Sequence, residues 1–146
     1  MISDTHGLIR PEAIAALAGV DRIVHAGDIG KPCVLEALAG CAPLTAIRGN
    51  NDRDPWADAI PTSATIELGS ARIYLIHDLA ELDFDPLARG IRAVISGHSH
   101  RPRLEERGGV LYLNPGSAGP RRFRLPVTLA RLVVARGEMR GEIVTL

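Results

Sequence analysis

Apolar residues along this chain come in short runs, and the period of those runs changes partway through. Residues 11–18 place Ile14, Leu17 and Ala18 on one helical face, opened by Pro11 and closed by Gly19. Residues 22–25 read as a short strand, 32–38 as a second helix between Pro32 and Gly40, and 44–47 as another strand. From residue 64 strict alternation takes over. Residues 64–68 and 72–76 flank Gly69-Ser70 as a hairpin, 79–89 predict a third, shorter helix, and 91–95 a buried strand. Two further hairpins follow, 103–106 with 110–113 across Gly108-Gly109, and 127–135 with 139–146 across Arg136-Gly137-Glu138. No repeat or linker interrupts the pattern, and one domain over residues 1–146 is expected.

The strand ends are where polar residues gather. Asp4 and His6 follow the very short apolar start Met1-Ile2, Asp28 follows Ala26-Gly27, and Asn50 lies in Arg48-Gly49-Asn50-Asn51-Asp52. His77 closes the second arm of the first hairpin, and His98 and His100 lie in Ser96-Gly97-His98-Ser99-His100. Each cluster has a bland alternative. Asp4 reads equally as a cap, the Asn-Asn-Asp run as a turn, and the two histidines as solvated loop residues. His25, out of phase with Asp28, is expected to pack beside the site, and Asp83 and Asp85 to decorate a solvated helix start. In extended backbone, residues two apart point the same way, so Asp4 with His6, and His98 with His100, are expected to converge in pairs.

Composition narrows the functional classes. Seventeen basic residues balance seventeen acidic ones, which argues against a general nucleic-acid or membrane-surface binder. Aromatic residues are only 3%, so the core must rest on aliphatic side chains. Cys33 and Cys41 show no CxxC spacing and are expected as buried thiols. No apolar run approaches the roughly 20 residues of a membrane span, and no signal-peptide layout opens the chain, so a cytoplasmic location is expected.

If the strand ends meet, seven oxygen and nitrogen donors converge: Asp4, His6, Asp28, Asn50, His77, His98 and His100. That donor set suits two borderline divalent ions, manganese first among Mn, Fe, Ni and Zn, with Asp28 as the candidate bridge. Two divalent ions against two carboxylates leave a positive cavity that attracts anions. Phosphoester hydrolysis by a metal-bridging hydroxide is the reaction that fits.

The motifs SDTHG (residues 3–7), HAGD (25–28), RGNND (48–52), the isolated His77, GHSH (97–100) and NPGS (114–117) resemble the calcineurin-like metallophosphoesterases. The likeness is to the small bacterial and archaeal phosphodiesterase branch and covers nearly the whole chain. It implies an α/β (α+β) sandwich of two mixed β-sheets flanked by helices. It further implies that Asp4, His6 and His100 hold one ion, that Asn50, His77 and His98 hold the other, and that Asp28 bridges them. Asp28, Asn50 and His98 are the residues expected to carry catalysis, and NPGS is expected to buttress the site. The implied substrate is a small anionic phosphodiester; no membrane partner is expected, a nucleic-acid partner is disfavoured, and a homo-oligomer is left open. A non-catalytic protein-binding scaffold, as in the retromer relative, and a nuclease are the alternatives.

Three features depart from the family pattern. Asn51 stands where many members carry a histidine, and an amide cannot deliver a proton at neutral pH. Asp78 replaces a common glycine after His77 and is expected to bring an extra carboxylate near the second ion, where it would orient His77. Only Met1 and Ile2 precede the first motif's serine, so upstream residues of a central strand are expected to be missing. Arg121, Arg122 and Arg124 read either as a phosphate clamp or as a solvated basic loop.

Overall fold

The computed structural model of the chain describes residues 1–122 and 124–146. Its strands in chain order are β1 (Ile23–Ala26), β2 (Leu44–Ile47), β3 (Ser63–Leu68), β4 (Ala71–Ile76), β5 (Ile91–Ile95), β6 (Arg103–Arg107), β7 (Val110–Asn114), β8 (Thr128–Ala135) and β9 (Glu138–Thr145). The helices are α1 (Pro11–Ala16) and α2 (Pro32–Ala39), each with proline in its first turn, where the missing N–H costs no intrahelical bond.

Two mixed layers face one another. One is the five-stranded sheet β3-β4-β5-β7-β6, in which β4, β5 and β7 run parallel and the outer pairs antiparallel. The other joins the parallel pair β1-β2 to the hairpin β8-β9 through the first residues of the chain. Ile2 exchanges backbone hydrogen bonds with Val24 and Ala26, and Met1 accepts one from the Ala130 N–H, so this short segment serves as the middle strand. The period-2 pattern explains the packing: Ile73 and Leu75 of β4, with Ala93 and Ile95 of β5, meet Val24, Ala26 and Ile47 between the layers. On the outer face of β1, α1 and α2 cover Ile2, Ile23 and Leu129 with Ala13, Leu17, Val34 and Leu38.

The third helix expected over 79–89 does not form. Two single 3-10 turns, Leu79–Glu81 and Leu87–Arg89, stand in its place. Asp78 and Asp85 each accept a hydrogen bond from the backbone two residues on, at 2.9 Å, and Pro86 offers no N–H to continue a helix. The segment still packs Leu79, Leu82 and Phe84 over the outer face of the five-stranded sheet, against Val94 and Tyr112. The cysteines are also placed otherwise than expected. Both are exposed, because α2 turns Val34 and Leu38 inward and leaves Cys33 on the other side.

Candidate metal centre

Asp4, His6, Asp28, His98 and His100 all adopt left-handed backbone, with φ of 54°, 46°, 54°, 64° and 57°. Such backbone costs a non-glycine residue on the order of 1–3 kcal/mol, so five instances at one end of the sheets mark a geometry imposed by the surrounding fold. They also correct the extended-strand expectation. Asp4 with His6, and His98 with His100, converge through tight left-handed turns rather than by strand alternation.

Five of the seven donors form a chain of close contacts, and the pair His98–Asn50 adjoins it through the His77 ring. Asp4 Oδ1 lies 3.2 Å from His100 Nε2, which lies 3.3 Å from His6 Nε2. His6 Nε2 is 3.9 Å from Asp28 Oδ2, and Asp28 Oδ1 is 3.4 Å from His77 Nε2. The rings of His77 and His98 meet edge to face at 5.4 Å, and His98 Nδ1 donates to Asn50 Oδ1 at 3.0 Å. Donor atoms of Asp4, His6 and His100 lie within 4.8 Å of one another, as do those of Asp4, Asp28 and His77. Within the series Asp4 Oδ1 and His77 Nε2 are buried with no hydrogen-bond partner. Buried polar atoms rarely go unpaired, so two of them facing one cluster fit the electron-pair donation a divalent ion requires.

Hydrogen bonds set the protonation of these groups. His77 Nδ1–H donates to the Ala26 carbonyl at 2.7 Å, which turns the Nε2 lone pair toward Asp28. Burial alone would lower the His77 pKa, but the adjacent Asp28 carboxylate, the bond to the Ala26 carbonyl and the Asp4 charge raise it on balance. For Asp28 burial pushes upward, and His77 together with two Asn51 donors outweighs it, holding the carboxyl well below the usual carboxylate range. Burial lowers His6 despite the Asp28 charge, with the Arg122 charge adding to the lowering.

A buried frame holds the donors in place. Asp52 accepts from the N–H groups of Ile29, Gly30 and Gly49 at 3.0, 2.8 and 2.8 Å, tying the loop after β1 to the loop after β2. Asn114 donates to the Gly97 carbonyl at 2.6 Å, and Ser117 Oγ donates to the Asp4 carbonyl at 2.9 Å, so the NPGS turn braces two donor loops. Gly49 is required by contact: a Cβ there would collide with Asp28 Oδ1. His25 is fully buried outside the series. It accepts from the Gly27 N–H through Nδ1 at 3.2 Å and is 2.9 Å from Thr5 Oγ1 through Nε2.

Three placements differ from, or were absent from, the sequence reading. Asp78 faces His98, with Oδ2 3.6 Å from Nε2, rather than orienting His77, whose Nδ1 is already taken by Ala26. Asp52 was legible only as the last residue of a turn-like run, because its three partners come from two separated loops. Arg121, Arg122 and Arg124 are exposed, with no ion pair among the described residues.

A two-layer sandwich carrying an Asp/His/Asn cluster at its strand ends has the architecture of a metallophosphoesterase. Residues 1–137 match the calcineurin-like phosphoesterase superfamily domain, and the chain belongs to that family, whose chemistry is phosphoester hydrolysis. A probable metallophosphoesterase of Methanothermobacter thermautotrophicus is 38% identical over 129 residues, which cover 80% of this chain and 74% of the relative. The solved structure of a novel archaeal phosphodiesterase superposes with a TM-score of 0.80 at 23% identity, covering 98% of this chain and 97% of that one. Vps29 of Entamoeba histolytica complexed with zinc shares the fold at a TM-score of 0.74 and 19% identity, over 99% and 96% of the two chains.

Proposed function

We propose that this chain is a phosphodiesterase that works with two divalent ions, manganese foremost and nickel, iron or zinc as alternatives, on a small anionic phosphodiester in the cytoplasm. The observation that carries the reading is the pair of donor groups Asp4-His6-His100 and Asp4-Asp28-His77, with Asp4 Oδ1 and His77 Nε2 buried and unpartnered. In this reading Asp4, His6 and His100 hold one ion, Asn50, His77 and His98 the other, and Asp28 contacts both. Ions held there would acidify a bound water enough to supply a nucleophile near neutral pH and would offset charge on the phosphoryl oxygens.

The protein's own groups do the positioning. Asn51 holds both oxygens of Asp28, and Ala26 holds His77 in the tautomer that leaves Nε2 free. Asp28 stays ionised throughout the working pH range, because its pKa is held low. The amide of Asn51 has no proton to give a leaving group, which favours esters whose leaving group departs as a stable anion.

The test is turnover of bis(4-nitrophenyl) phosphate and 4-nitrophenyl phosphate by chelator-stripped protein, with Mn, Ni, Fe or Zn added back singly. Turnover restored by metal and favouring the diester is expected. A folded protein inactive with every metal would shift the reading to a protein-binding scaffold, the second reading favoured by the likeness to Vps29.

A further inference from the structure

A cleft of about 330 Å³ opens beside the metal centre on the side of His98. His98 and Asp78 form the edge it shares with the donor series, while Leu79, Pro102 and Tyr112 make an apolar wall. Arg101 and Arg103 both line the cleft; Arg101 is exposed and has no ion-pair partner among the described residues. Arg103, by contrast, is bound to Glu105 through two nitrogens. The cleft is therefore an apolar pocket with one uncommitted cation, of a volume at the lower end of the roughly 300–1,000 Å³ that holds small organic ligands.

We infer that this cleft is the subsite for the non-leaving organic group of the substrate, and that it takes a planar ring of nucleobase size. The inference rests on the phosphodiesterase reading above. The cleft begins at His98, so the second ester group of a phosphodiester held at the donor series would have it within reach. The apolar wall supplies contact area for a flat ring, which loses water on entering. Arg101 supplies the matching polar element, since a guanidinium stacks on π faces and donates to ring carbonyls from its edge. Asp78, the departure after His77, stands 3.6 Å from His98 and keeps that imidazole at the boundary between cleft and centre. A nucleoside phosphodiester has this chemistry, and a dialkyl phosphate does not.

The experiment compares thymidine 5′-(4-nitrophenyl) phosphate with methyl 4-nitrophenyl phosphate on the metal-loaded protein. Both release the same nitrophenolate, so their kcat/KM ratio reads the second ester group alone. A ratio of at least tenfold for the thymidine ester is expected, falling at least fivefold in Arg101→Ala and in Leu79→Ser. A ratio near one, or a ratio that neither variant changes, overturns the inference. Calorimetric binding of thymidine 5′-(methyl phosphate) against dimethyl phosphate gives a readout without turnover. Selective binding of the thymidine ester that Arg101→Ala weakens supports the cleft even if neither chromogenic ester is hydrolysed, an outcome that sinks only the phosphodiesterase reading. Absence of that selectivity overturns the cleft.

Discussion

Asn51 holds Asp28 at both oxygens: its backbone N–H donates to Oδ1 at 2.9 Å and its side-chain amide to Oδ2 at 2.6 Å. The position that departs from the family pattern is thus joined directly to the carboxylate at the middle of the donor series. Donors of this kind orient a ligand and keep it ionised, and their loss typically costs 10–100-fold in metal affinity or activity. Asn51→Ala is expected to weaken manganese binding by about that factor, measured by calorimetry, with thermal stability of the metal-free protein little changed. Unaltered affinity would mean that the backbone N–H alone suffices.

Asp28→Ala tests the centre itself. Removing the carboxylate proposed to bridge the two ions is expected to lose metal and activity together, read by elemental analysis of the dialysed protein alongside turnover. Two ions retained with full activity would show that the ligand assignment is wrong.

Asp52 is a structural counterpart to Asp28. Replacing it with alanine leaves the N–H groups of Ile29, Gly30 and Gly49 without their acceptor. Bonds to charged groups are worth about 1.5–3 kcal/mol each, and the three share one carboxylate, so a loss of about 3 kcal/mol or more is expected in urea unfolding. A loss below about 1 kcal/mol would show that water replaces the carboxylate in all three bonds.

His25 makes stability depend on pH. Burial dominates and lowers its pKa to about 4 from the ordinary 6.5, and accepting from Gly27 at Nδ1 leaves no place there for a second proton. The unfolded chain therefore binds this proton more readily between those values. The contribution is complete above about pH 6.5 and is lost as pH falls toward about 4, reaching about 3 kcal/mol. In metal-free protein, the stability difference between wild type and His25→Asn should shrink across that window, by denaturant unfolding at pH 7 and pH 4.5. A constant difference would mean that His25 is already protonated in the fold.

Much of the architecture was legible from local pattern. Prolines and glycines bounded α1 and α2, and alternation located β3, β4 and the closing hairpin, because period and turn chemistry act over a few residues. Local pattern failed at residues 79–89, where Asp78 and Asp85 capture backbone N–H groups that a helix would have used. It failed at Cys33, whose side of α2 depends on which face meets the sheet. Asp78 was recognised as unusual but assigned to the wrong histidine, since the Ala26 carbonyl that claims His77 lies 51 residues away in the chain.

The amino-acid sequence by itself determined which residue types stand at the strand ends, and with them the family and the two-layer plan. Hydrophobic period and short motifs are local properties, and they survive any arrangement of the rest of the chain. Only the tertiary structure decided where those side chains point. Left-handed turns at Asp4, His6, Asp28, His98 and His100 are unfavourable alone and persist because distant groups hold them: Asp52 across two loops, Ser117 on the Asp4 carbonyl and Asn114 on the Gly97 carbonyl. The cleft at Arg101 and Tyr112 is likewise a product of assembly, formed where the end of the five-stranded sheet meets the turn at Leu79.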